Sequence, residues 1–360
     1  MRRPAAPAPG ESGAGSPPRL QRLGTLIFQA MRVGLALGLL GWLLVAFGEE
    51  LPAYVAGANP LLILAAAAVI LWNIVLRGWR WRILFVTRPE LWPAVASTAA
   101  SYLLNNVLPG RPGDLLRVFM LGSLSGISRG RVFATVVFER VIDLLFASVL
   151  LVVLTRFKAV PAWLDYGAVV VGCGAVGGLV AMIGFALLWN KRRQLPLLAR
   201  IAGYLPGSLR ELVARVSSSF AQGTVDLARP GPLLYFLVLT AILWTTEGLV
   251  AHLVILALGH TIPFTDTLVI LVVAAFSSFL PTVPGQLGVF EAAVVAAASA
   301  LSFGEGALAT AVVLHGLVLI VTSGFGLVSL IVERRRLGSP AKWLSPRSYS
   351  NIQLPRTLDR

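Results

Sequence analysis

A chain of 360 residues that is 57% hydrophobic and 13% charged, with a mean hydropathy of +0.81, falls outside the class of water-soluble globular proteins. Its net charge of +14 would suit nucleic acid, but the basic residues sit in blocks between apolar runs, with no basic patch interleaved with aromatics in a soluble context; nucleic-acid binding is excluded on that ground. The single cysteine, Cys173, excludes an internal disulfide and a cysteine-rich metal site, and His252, His260 and His315 lack metal-ligand spacing, so neither metal nor cofactor is expected.

Residues 1–30, rich in Pro, Ala, Gly and Ser with scattered Arg, predict a disordered basic tail, and 31–332 a single polytopic membrane domain. The first apolar span, 31–47, has the look of a signal-peptide core, with AGA at 56–58 in the place of a cleavage site. Its long basic lead-in and the spans that follow favour an uncleaved anchor. Further spans are predicted at 60–76, 132–154, 167–189, 233–258 and 307–332, and residues 333–360 form a basic tail. Two membrane-length segments, 91–124 and 263–303, are interrupted. The first contains LPGRPGDL at 108–115 and the second LPTVPGQL at 280–287, both of the form L-P-x-x-P-G-x-L.

Two prolines and a glycine within so short a stretch break a helix, because proline lacks the N–H and clashes with the preceding turn. In hydrocarbon the freed backbone groups need partners, so such breaks persist only inside protein or along a wet cavity. Broken segments at corresponding places in two halves point to a transporter's binding site. Each is readable as a re-entrant hairpin or as two full crossings; either way the chain returns to the side from which it entered. Three unbroken spans lie between them, so the two breaks enter from opposite sides. The fold class predicted is an all-α polytopic bundle with two broken hairpins in an inverted-topology repeat.

Orientation follows from the basic residues. With both termini cytoplasmic, that side receives the N-terminal arginines, then Arg77, Arg80, Arg82 and Arg88, then Arg129 and Arg131, the 191–229 connection and Arg334–Arg336, while the outer connections hold Arg156 and Lys158. In the cytoplasmic connection SLRE at 208–211 has the form of a capping box. The apolar positions after it predict an amphipathic helix, lying on the membrane surface or docked on the bundle.

Charged residues inside apolar spans are the candidates for chemistry, since each costs about 2.5–3.5 kcal/mol near the bilayer centre. Glu139, Arg140 and Asp143 share the span 132–154, with Arg140 three positions from Asp143. They either lock helices together as an internal ion pair or line a polar cavity. The first break adds Asn105, Asn106, Arg111, Asp114 and Arg117; the second adds Pro284, Gly285, Gly288 and Glu291, with Ser277, Ser278 and Gln286 nearby. Exposed N–H groups at the helix start after the first break, with two arginines close by, suit an anionic headgroup. Glu247 and His315 sit inside late spans as proton carriers or interhelical hydrogen-bonding groups. GCGAVG at 172–177 matches a dinucleotide fingerprint but lies within a membrane span, so it reads as small residues for helix packing, and Cys173 with it.

The segments NNVLPGRPGDLLR (105–117), ERVIDL (139–144) and PTVPGQLGVFEA (281–292) together resemble the family named for the transmembrane region of lysylphosphatidylglycerol synthase, also called flippase-like domain proteins. The family usually has a second glycine after the last Pro-Gly, where this chain has Gln286. The resemblance implies a protein of lipid translocation or lipid-headgroup modification, and it does not extend to a soluble aminoacyl-transfer domain. The leading reading is a cell-membrane flippase of a phospholipid or a lipid-linked anionic headgroup, whose partner is that lipid. Alternatives are a secondary transporter of a soluble anion or amino acid, an intramembrane headgroup transferase built on Glu139 and Asp143, and a scaffold for a lipid-modifying partner enzyme.

Overall fold

The structure is a computed structural model and describes residues 41, 51–157, 161–190, 207–227, 230–277, 284–304 and 306–337. The expected span 31–47 apart from residue 41, both tails beyond these limits, Ser278 and the first half of the second proline motif lie outside the described residues. Within them the secondary structure is helical, with no strand. The elements are α1 (Leu51–Gly57), α2 (Pro60–Arg82), α3 (Leu91–Val107), α4 (Pro112–Ser125), α5 (Arg129–Thr155) and α6 (Ala162–Asn190). After them come α7 (Gly207–Leu227), α8 (Pro230–Ala257), α9 (Phe264–Ser277), a 3₁₀ turn at Pro284–Gln286, α10 (Val289–Ala300) and α11 (Ala307–Leu337).

Local chemistry accounts for the boundaries. Asn59 starts α2, its Oδ1 accepting from the Leu61 N–H at 3.0 Å, with Pro60 in the first turn where no N–H is needed. α3 stops at Leu108, which is extended, as the residue before a proline prefers. Pro112 opens α4, and Gly126 closes it in the left-handed conformation at φ 67°.

Four of the described helices (α2, α6, α8 and α11) are long and apolar enough to cross a membrane. α5 is as long, but Glu139, Arg140 and Asp143 interrupt its apolar stretch. Outward faces carry exposed Val169, Val170, Val180 and Leu187 on α6 and Leu234 and Val238 on α8, so the protein is a helical membrane bundle with its apolar surface turned to lipid. Cys173 is exposed on α6, and of the neighbouring glycines only Gly172 packs closely, against Ser148 of α5. The helix-packing reading therefore holds for Gly172 and not for Cys173.

The order long helix, broken pair, long helix occurs twice: α2, α3/α4, α5 and then α8, α9/α10, α11. α2 packs on α8, α3 packs on α11, and α9 packs on α5, so each half contributes its first broken helix to the other half's last long helix. α7 docks on α5 and α6, with Gly130 against Val216 and Ser219 and Gly223 against Ala134 and Arg131. Of the two placements expected for this amphipathic helix, docking on the bundle is the one found.

Candidate functional site

The largest departure from the sequence reading concerns α2. The arginines expected in a cytoplasmic loop continue the helix, and Arg80 is wholly buried. Its guanidinium donates to both Asp143 carboxylate oxygens at 2.6 and 3.0 Å, to Glu139 Oε1 at 2.7 Å and to Thr240 Oγ1 at 3.0 Å. The second oxygen of Glu139 pairs with Arg117 at 2.9 Å, and the Arg117 guanidinium lies 3.7 Å from the ring centre of Trp81. Trp81 is itself fixed by donating its Nε1–H to Thr135 at 2.9 Å. α2, α4, α5 and α8 are thus tied by two arginines and two carboxylates in a protein interior, where bidentate arginine geometry compensates part of the desolvation.

Arg140 does not pair with Asp143, as the spacing of three suggested. It reaches Asp114 on α4 at 2.8 Å instead. The reason is the competing fork of Arg80, which occupies both oxygens of Asp143. Arg77 joins the edge of this network, bonding Glu247 and lying 3.8 Å from Asp143.

Each break turns through a glycine followed by a second left-handed residue, at different points of the motif: Gly110 (φ 82°) with Arg111 (φ 59°) before the second proline of the first break, and Gly285 (φ 61°) with Gln286 (φ 59°) after the second proline of the other. A side chain in that conformation costs about 1–2 kcal/mol, which gives a physical account of the family's usual glycine where this chain has Gln286. The helix after each break carries an acid in its first turn that pairs with a base on the next long helix: Asp114 with Arg140, and Glu291 with His315 Nδ1 at 2.7 Å. Glu291 also accepts from the Gly288 N–H at 2.7 Å, closing the start of α10.

The first break is further locked by Asn105, whose Oδ1 accepts from the Gly113 N–H at 2.7 Å. A Cβ on Gly113 would overlap the Ser101 carbonyl oxygen and the Asn105 amide. Gly113→Ala is therefore expected to spring the α3/α4 hairpin and lower the thermal stability of the purified protein; unchanged melting in detergent would contradict this packing.

The two breaks meet at one cavity of about 240 Å³. Asn105, Asn106 and Arg111 of the first break line it with Gly285 and Gln286 of the second, and Gly285 lies directly over the Asn106 carbonyl oxygen. Arg140 and Asp143 face it from α5, Arg77 and Asn73 from α2, Tyr102 from α3, Trp244 and Glu247 from α8, and His315 from α11. Three arginines and two carboxylates thus line it. Of the residues singled out from sequence, Asn105, Asn106, Arg111, Arg140, Asp143 and Gly285 come together at the cavity. Asp114, Arg117, Glu139 and Glu291 stand behind it as pairing groups, and Pro284 and Gly288 shape the second turn. Sequence reasoning missed Asn73, Arg77, Arg80, Tyr102 and Trp244. A signal existed for the first two: Ala66, Ile70, Asn73 and Arg77 follow the helical stripe spacing that buries one face of α2.

Among the described residues no group of His, Cys, Asp and Glu is arranged to hold a metal ion. Comparison with known proteins places residues 29–326 in a match to the family described as Lysylphosphatidylglycerol synthase TM region. The chain is similar, at 28% identity over 350 aligned residues, to Glycosyltransferase AglD of Haloferax volcanii; the alignment covers 87% of this chain and 55% of that protein. The chain thus spans about half the length of the curated relative it matches. No solved structure matches it.

Proposed function

Since the chain belongs to the lysylphosphatidylglycerol synthase transmembrane-region family, we propose that it is a multi-pass cell-membrane flippase that carries a phospholipid or lipid-linked anionic headgroup through the cavity between its two breaks. The observation that carries this reading is the convergence of both breaks on one polar cavity with Arg77, Arg111 and Arg140 in its wall. A phosphate would meet three guanidiniums there, in a setting of low dielectric where charge-assisted hydrogen bonds are strongest. The volume of about 240 Å³ is below the ~300–1,000 Å³ of pockets that enclose a whole drug-sized ligand, so a headgroup fits while acyl chains stay in lipid. The exchange of packing partners between the halves supports an inverted repeat, with 31–332 as the transporting unit. The basic residues of the flanks support a cytoplasmic location for both termini.

A second reading has one specific observation in its favour, the similarity to a protein named as a glycosyltransferase. On it, the chain presents a lipid to a partner enzyme that modifies the headgroup. Purified protein in liposomes distinguishes the two. Under the flippase reading a labelled anionic lipid changes its leaflet accessibility and is recovered covalently unchanged by mass spectrometry. A protein that binds the lipid but leaves the leaflet distribution at the empty-liposome rate would favour presentation. A new covalent product dependent on Asp143 or Glu139 would overturn both in favour of an enzyme.

A further inference from the structure

The cavity wall contains more neutral hydrogen-bonding chemistry than a phosphate needs. Asn105 spends its Oδ1 on the Gly113 N–H, which fixes the amide so that its NH₂ is the end left for the cavity. Asn106 is fixed the other way: its Nδ2 donates to Thr322 Oγ1 at 3.0 Å and Ser323 Oγ at 2.9 Å, leaving the carbonyl as acceptor. Thr322 already donates to the Val318 carbonyl, so the direction of the Asn106 bond is set. Asn73 is held at the cavity by Thr246, whose Oγ1 lies 2.7 Å from the Asn73 amide oxygen. Trp244, stacked on Phe146 with 6.1 Å between ring centres, lines the same cavity.

An oriented amide donor, an oriented amide acceptor and a third amide beside an indole make up a polyol-binding surface. Amides pair with hydroxyls as donor and acceptor at once, and an aromatic ring covers the C–H face that a sugar ring presents. Arginines alone would suffice for a bare phosphate, and buried amides left unpaired would penalise it. We propose that the cavity takes a glycosyl phosphate: Arg77, Arg111 and Arg140 hold the phosphate, and Asn73, Asn105, Asn106 and Trp244 form a sugar subsite. The proposal rests on the headgroup reading of this cavity and names the chemical class of that headgroup. The same chemistry could reach the site on a lipid or as a free sugar phosphate.

The test measures binding to the full chain in nanodiscs. The probes are a short-chain polyprenyl phosphate, the same lipid bearing a hexose on its phosphate, phosphatidylglycerol, and soluble hexose 1-phosphate and inorganic phosphate as competitors. The glycosylated lipid is expected to bind at least tenfold tighter than the bare lipid phosphate, and hexose 1-phosphate to compete at least tenfold better than inorganic phosphate. Asn73→Ala and Trp244→Leu should each erase most of that preference. The competition between the two soluble phosphates uses the unmodified protein, so it decides the matter even if a variant fails to fold. Equal affinity for sugar-bearing and bare forms overturns the subsite; if the bare lipids still bind and change leaflet, the flippase reading stands without it. Binding of hexose 1-phosphate with no binding of either polyprenyl lipid keeps the subsite and overturns the lipid reading. Failure of every probe to bind overturns both.

Discussion

Arg80→Met is expected to remove most of the folded protein from the membrane. The substitution leaves Asp143 buried with its principal cation gone and Glu139 with Arg117 alone, because all of the short bonds to Asp143 come from that one guanidinium. Removing one partner of a buried ion pair costs about 3–5 kcal/mol, a large part of the ~5–15 kcal/mol that holds a typical domain folded. Monodisperse yield in detergent and thermal unfolding measure the effect. Arg80→Lys should recover only part of the loss, since an ammonium cannot bridge two carboxylates and Thr240 in a planar fork. Arg80→Met combined with Asp143→Asn should recover more, because it deletes the stranded charge. Wild-type yield and melting for Arg80→Met alone would show that the network does not hold the bundle.

Arg140→Gln should do the opposite, leaving a folded protein that fails to transport. The side chain of Arg140, on the cavity wall, is 27% exposed, and that of Asp114 behind it 24%. Asp114 keeps Arg111 and Arg117 as neighbouring cations after the substitution, so yield and melting should fall far less than for Arg80→Met. Translocation of an anionic lipid in liposomes is expected to fall at least tenfold, because one of three guanidiniums facing the headgroup is gone. Loss of folded protein with normal activity per remaining molecule would mark Arg140 as a strut and would move the phosphate site elsewhere in the cavity.

Much of the architecture was readable in the sequence because membrane helices announce themselves by length and hydropathy, and proline pairs announce the breaks. Helix α3 ends at Val107 and α4 starts at Pro112, around the first motif. That the two breaks approach one another was also legible, since both interrupt membrane-length segments with the same motif, although the residues that meet, Asn105, Asn106 and Arg111 with Gly285, are not equivalent positions of it. Partner choice was not. Neighbour spacing offered Arg140 to Asp143, whereas Arg80, 63 positions from Asp143 in the chain, takes that carboxylate. Hydropathy ended α2 at Leu76 because a run of arginines looks like a loop when its counter-ions are distant in sequence. Trp244 and Tyr102 were invisible for another reason: an aromatic residue in an apolar span gives no sign of whether it faces lipid, core or cavity.

The ion network also has an order in time. α5 brings Glu139, Arg140 and Asp143 into the membrane and is not among the described helices apolar enough to qualify as a span by composition. Arg80 and Arg117, which neutralise its two acids, belong to α2 and α4 and leave the ribosome first. As α5 emerges, its counter-charges are already in place, whereas Thr240 on α8 arrives later and completes the coordination of Arg80. Insertion of α5 is therefore encoded outside α5, in earlier helices. A gene rearranged so that α5 was synthesised before α2 would release the same helix into a bilayer with nothing to receive its carboxylates.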